Sequence, residues 1–364
     1  MNHSSIFSKY LSSEKMQAVV SDEALIEKMI AFETGLARAQ QKLGMIPSLS
    51  ADDVIKVLNT TKVKPQDLAE GTLRNGVPVV PLLSLIKEKL KEESKAFLHY
   101  GATSQDTLDT AQILIVSDAV RLLSKMLDDF KNSLEMLDKN YGNTRCMART
   151  RGQLAAPITF GLRIKSWMQP INRQQQRLKE LSVRLLKIQL GGAVGDLSVF
   201  KTGGQKLVEE LASQLGLASS TPWHSQRDVL AEFGNWLAMT SGVVGKMGAD
   251  ILVMSQNEIA EVEELSKGGG KSSSMPHKNN PVLSEAMVAL ANLNSSLQSR
   301  MLQALVHENE RDATAWILEW ETLRQMLLYT AAGLSHAAKV SSEMKVHTET
   351  MEGNVAAFLK KSGK

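Results

Sequence analysis

Cysteine is nearly missing from this chain. Cys146 stands alone among 364 residues, so no intrachain disulfide can form, which suits a reducing compartment; Cys146 reads as a small core filler. Proline is scarce and uneven. There are nine, none between Pro81 and Pro157 and none after Pro281, and Pro-free spans of that length with few β-branched runs predict long helices. An excess of one charge is missing too. Forty-two Lys and Arg against 39 Asp and Glu leave +3, which argues against a nucleic-acid surface but permits a few cations around an acidic small molecule. The N-terminal residues lack the apolar centre of a secretion signal, and no run approaches the ~20 apolar residues needed to cross a bilayer. A soluble, cytoplasmic protein is therefore expected. The seven histidines show no metal-ligand spacing, and no phosphate-binding glycine fingerprint or solenoid repeat occurs.

What is present is apolar material at helical spacing. Hydrophobic residues make up 43% of the chain, enough for a large core. Ser21-Asp22-Glu23 starts a predicted helix that ends at Gly44. Asn75 to Pro81 reads as a turn and a short extended piece. Ile113, Val116, Val120, Leu123, Leu127, Phe130, Leu134 and Leu137 alternate steps of three and four, the seam of a bundle. Residues 225–265 contain no proline and would span ~60 Å if fully helical. Gly242, Gly245 and Ala249 there predict a small-residue face for a close neighbour. Helices this long do not bury themselves within one short chain, so an oligomeric bundle is expected. The predicted layout is all-α: an N-terminal helical domain (1–100), a central long-helix bundle (101–345) and a short tail (346–364).

Four polar stretches carry the chemistry. Residues 264–285 place Gly268, Gly269 and Gly270, then three serines, then Pro276 and Pro281 around Lys278, Asn279 and Asn280. Pro281 suits the first turn of a helix and Asn280 could cap it, so a cationic loop would end at a helix N-terminus that attracts anions. His99 to Thr110 crowds Gly, Thr, Ser and Asp before a helix, where any could cap. Arg149, Arg151 and Gln153 form either a solvated loop or a carboxylate clamp, because guanidinium donors match carboxylate oxygens in pairs. His307 to Asp312, containing Arg311, precedes Trp316 and Trp320. His224 reads as a helix-start contact.

Ser272-Ser273-Ser274-Met275-Pro276-His277-Lys278-Asn279-Asn280 resembles the signature loop of the fumarase/aspartase superfamily, SSxMPxKxN, with Lys271 where that loop usually begins with Gly. Glu285 matches the family's glutamate. His99-x-Gly-Ala-Thr-Ser-Gln-Asp and Trp316-x-x-Glu-Trp resemble the 3-carboxy-cis,cis-muconate cycloisomerase branch. The resemblance spans roughly residues 17–355. It implies a long-helix fold, addition or elimination next to a carboxylate, no cofactor and no metal, and a tetramer with three subunits meeting at each site. It also implies that larger members carry a third, C-terminal domain for which this tail substitutes.

The roles follow from that resemblance. Ser273 exchanges the carbon-bound proton. Lys278 and Asn280 stabilise the doubly negative aci-carboxylate, and Glu285 orients the loop. Arg149, Arg151 and Gln153 bind carboxylates, helped by Thr103, Ser104 and Arg311; His99 either contacts the substrate too or makes a structural hydrogen bond. Many members read RTHxQ where this chain has Arg151 in place of His. A carboxylate leaving group, with pKa near 4, needs no acid, so this favours lactonisation over amine elimination of the adenylosuccinate type. A catalytically silent structural protein, as some lens crystallins resembling argininosuccinate lyase are, is the third reading; an intact Ser273 and Lys278 count against it.

Overall fold

The computed structural model describes residues 6–265, 270–275 and 278–363; Gly268, Gly269, Pro276 and His277 lie outside them. The N-terminal region holds α1 (Ser8–Leu11), α2 (Glu14–Val19), α3 (Asp22–Lys42), α4 (Ser48–Thr60), α5 (Pro65–Asn75) and α6 (Val79–Lys87). Ser21 Oγ accepts from the Ala24 N–H at 3.1 Å, and Gly44 turns left-handed after α3 (φ 67), as predicted. The expected extended piece at Val79–Val80 is instead the start of α6. Pro78 is its N-cap and Pro81 falls in its first turn, where a missing N–H costs no hydrogen bond. Val79, Leu82 and Ile86 recur at helical spacing and are buried.

The bundle comprises α7 (Ser104–Tyr141), α8 (Phe160–Leu185), α9 (Gly204–Leu215), α10 (Asp228–Met254), α11 (Val282–Gln303), α12 (Ala313–Glu343) and α13 (Thr348–Lys361). The predicted seam from Ile113 to Leu137 is buried throughout and joins one core with α8, α10, α11 and α12. A second core, around Met29, Val54 and Leu82, reaches α7 through Leu108 and α12 through Trp316.

The close helix approach uses Gly245 of the expected face, joined by Gly248 rather than by Gly242 and Ala249. A Cβ on Gly245 would sit 2.7 Å from Ala291 Cβ, and one on Gly248 would sit 2.7 Å from the Ser284 carbonyl. Gly242 has nothing within 4 Å, and both it and Ala249 are exposed. By length and composition alone α10 is long and apolar enough to cross a membrane; half of its most apolar window is buried within the fold.

Two small antiparallel ribbons interrupt the helices. β1 (Arg145–Thr150) and β2 (Gln153–Thr159) form a hairpin where a loop was expected. Its turn is Arg151 (φ 52) and Gly152 (φ 79), two left-handed residues whose twist matches a tight hairpin. β3 (Val262–Glu263) pairs with β4 (Lys345–Val346). The tail forms α13, which buries Met351 and Val355 and places Glu352 2.8 Å from the Arg145 guanidinium.

Contacts along the bundle fix which ends coincide. Arg227, just before α10, meets Asp109 near the start of α7 and Glu319 near the start of α12. Gly248, near the end of α10, meets Ser284 at the start of α11. So α7, α10 and α12 begin at one end, and α11 begins at the other.

Candidate active site

At the first end, a buried polar knot organises the start of α7. Asp106, fully buried, accepts from the backbone N–H groups of Thr103 (3.0 Å), Gly191 (2.8 Å) and Gly192 (2.9 Å), and its Oδ1 lies 2.8 Å from His224 Nε2. His224 is thus a buried partner of Asp106. Arg227 bonds Asp109 at 2.7 and 3.0 Å and Glu319 at 2.5 and 2.9 Å. Burial opposes its charge, but the two carboxylates win and hold its pKa above the ordinary value. Burial pushes the Glu319 carboxyl up despite Arg227. These are scaffold groups: a buried ion is kept only where its partners are complete.

The predicted binding residues sit on that scaffold. Thr103 and Ser104 are half-buried at the first turn of α7. Arg311 is exposed, with Nε 2.8 Å from Gln105 Oε1 and Nη2 3.0 Å from the Ala193 carbonyl. His99, in a left-handed conformation (φ 60), places Nδ1 2.7 Å from Oε1 of buried Glu33, which also accepts from the Thr107 hydroxyl at 2.8 Å. Burial disfavours the charged ring, but the Glu33 carboxylate outweighs it and raises the His99 pKa. His99 is therefore an oriented, readily charged donor, suited to a carboxylate.

At the other end lie the hairpin and the signature loop. Arg151 is exposed at the hairpin turn and makes no hydrogen bond or ion pair with any described residue; Gln153 beside it is exposed too. Arg149 is not a free clamp. Its two Nη atoms lie 3.1 and 3.2 Å from the carboxylate of Glu261, which is completely buried. A cleft of about 590 Å³ between the hairpin, α8 and α10 is lined by Arg149, Arg163 and Lys246 among others.

Ser273 and Lys278 are exposed in the signature loop, as is Glu285 in the first turn of α11. The loop is tied at its base. Gly270 is left-handed (φ 58), and its carbonyl accepts from both the backbone N–H and the side-chain Nδ2 of Asn280 at 2.9 Å. A Cβ on Gly270 would lie 1.9 Å from the Asn280 carbonyl, so only glycine fits. Asn280 therefore closes the loop base and does not cap α11; Pro281 is the N-cap. The anion at that helix N-terminus is Glu264 of the same chain, 3.0 Å from the Leu283 N–H and 2.5 Å from the Ser284 N–H.

The two groups of residues cannot meet within one chain. Arg311 precedes α12, whose 31 residues span about 46 Å at 1.5 Å each, and β4 at its far end pairs with the strand leading into the signature loop.

A family profile described as Lyase matches residues 2–292. The chain belongs to the fumarase/aspartase superfamily. It is 35% identical over 359 residues to a 3-carboxy-cis,cis-muconate cycloisomerase of Acinetobacter baylyi, covering 97% of this chain and 80% of that protein. The crystal structure of 3-carboxy-cis,cis-muconate lactonizing enzyme from Pseudomonas putida superposes with a TM-score of 0.91 at 31% identity, over 97% of this chain and 80% of that one. An N-acetyl-S-(2-succino)cysteine lyase of Enterococcus italicus is 32% identical over 346 residues, 94% of this chain and 76% of that protein. The superfamily, the helical fold and an enzyme of the lyase kind follow.

Sequence reading missed Glu261 and Glu264, and it marked Glu33 only by its resemblance to the superfamily's first helix, without its partner His99. Each acts on a partner 19 to 112 residues away, so no local spacing betrays it.

Proposed function

We propose that this enzyme closes 3-carboxy-cis,cis-muconate to 4-carboxymuconolactone, as in protocatechuate breakdown, and works as a homotetramer with sites shared between subunits. A substrate carboxylate oxygen bonds to one alkene carbon. The alkene electron pair moves to the carbon beside a second carboxylate, giving the aci-carboxylate. Ser273 delivers the proton that completes the new C–H bond and is reprotonated from solvent. Lys278 supplies the positive charge that steadies the intermediate, while Arg151, Gln153, His99, Thr103, Ser104 and Arg311 grip the carboxylates. Glu285 orients the loop.

The observation that carries this reading is Arg151, unpaired among the described residues at an exposed turn. A guanidinium cannot act as an acid near neutral pH, so this position suits a group that adds or leaves as an anion, as a carboxylate does. A second reading, elimination of a thiol from a succinyl thioether, is favoured by the 32% identity to the succinocysteine lyase; a thiolate, with pKa near 8.5, is also a tolerable anion. An amine is not, which weighs against an adenylosuccinate-type reaction. Incubation of the purified enzyme with the tricarboxylate, with N-acetyl-S-(2-succino)cysteine and with adenylosuccinate, followed by ultraviolet absorbance and product analysis, separates them. Lactone formation at least tenfold faster than either elimination is expected; preferential thiol or amine release overturns lactonisation.

A further inference from the structure

The strand β3 is flanked by two buried carboxylates with a division of labour that the sequence does not announce. Glu261, 0% exposed, holds Arg149 of the hairpin and lies 3.4 Å from Asn354 Nδ2 of α13. Glu264, 4% exposed, reaches the second and third amides of α11 with its two oxygens. Those amides have no partner inside the helix, and the positive end of the helix dipole lies there. The neighbouring Val282 carbonyl accepts from Tyr10 Oη at 2.6 Å, and β3 is held to β4. Both stems of the signature loop are therefore anchored by internal groups, while Ser273 and Lys278 stay exposed.

We propose that Glu264 is a positioning residue for the signature loop, and that the N-terminus of α11 serves this internal carboxylate rather than a carboxylate of the substrate. This deepens the reading of the loop as catalytic. A substrate anion cannot occupy the Leu283 and Ser284 amides without displacing a buried carboxylate, which would then lose both hydrogen bonds. The charge that steadies the aci-carboxylate must come from exposed side chains, Lys278 first. Glu264 acts one step back. It fixes the direction in which the chain leaves the loop, and with it where Ser273 and Lys278 stand.

Hydrogen exchange of the full-length protein, read at Leu283 and Ser284, tests this together with tryptic cleavage after Lys271 and Lys278. Glu264→Ala is expected to speed exchange at both amides at least about fivefold and to accelerate cleavage. Glu264→Gln, whose single carbonyl oxygen can still accept, should recover part of the loss. In the turnover assay Glu264→Ala should lower kcat by about 10- to 100-fold with KM changed less than about threefold. Wild-type protein saturated with propane-1,2,3-tricarboxylate should show unchanged exchange at the two amides. Slower exchange there with the tricarboxylate would assign them to the ligand and overturn the proposal, as would unchanged exchange in Glu264→Ala. The wild-type arm decides even where a variant fails to fold. Exchange and cleavage need no turnover, so absence of lactonase activity would sink the reaction assignment and leave this test standing.

Discussion

Ser273 and the His99–Glu33 pair separate the proposed catalysis from support. Ser273 is exposed, so Ser273→Ala should leave the free energy of unfolding within about 0.5 kcal/mol of wild type. The same change should lower turnover by roughly 100-fold or more; unchanged turnover removes it as the proton carrier. The pair His99 and Glu33 makes a pH prediction. The folded pKa of His99 is raised, with Glu33 the opposing carboxylate. The stabilisation from this pair is therefore complete below the ordinary histidine value near 6.5 and is lost as pH rises through the higher folded value. Glu33→Gln should flatten that fall in stability, measured by urea unfolding at a series of pH values from the ordinary histidine value upward. An equally steep fall would show that the Glu33 contact does not hold the proton.

At the scale of helices, contact geometry decides what a glycine does. A Cβ on Gly248 would press on the Ser284 carbonyl at 2.7 Å, whereas one on Gly353, at an exposed position of α13, meets nothing within 4 Å. Gly248→Ala should destabilise by about 1–3 kcal/mol, and Gly353→Ala should stabilise by up to about 1 kcal/mol; thermal unfolding of both checks the sign. The seam of α7 was legible because its apolar residues recur every three or four positions. On the small-residue face of α10 Gly245 was read correctly, but Gly242 was taken for Gly248 because the two look alike in sequence, and only the position of α11 tells them apart. The hairpin was invisible for a related reason. Six residues of β2, Gln153–Pro157 and Thr159, are exposed, so β2 shows no alternation of buried and open positions, and its fold is set by the left-handed pair Arg151-Gly152. The signature loop announced its superfamily, but the anchors at its base left no mark in the sequence.

The whole molecule poses a geometric demand. Candidate binding groups around His99, Thr103 and Arg311 lie at one end of a bundle about 46 Å long by its 31-residue helix, and Ser273 and Lys278 lie at the other. On the function proposed above, a complete site draws on more than one copy, and each copy lends one end to its neighbours. Mixed assemblies test this most directly. Ser273→Ala and His99→Ala proteins, each inactive alone, are unfolded together, refolded and assayed with the substrate that wild type turns over. The account predicts recovered turnover, about a quarter of wild type where half the subunits carry each defect and a site needs one intact contribution of each kind from different chains. Turnover no higher than that of the two variants assayed apart would contradict it.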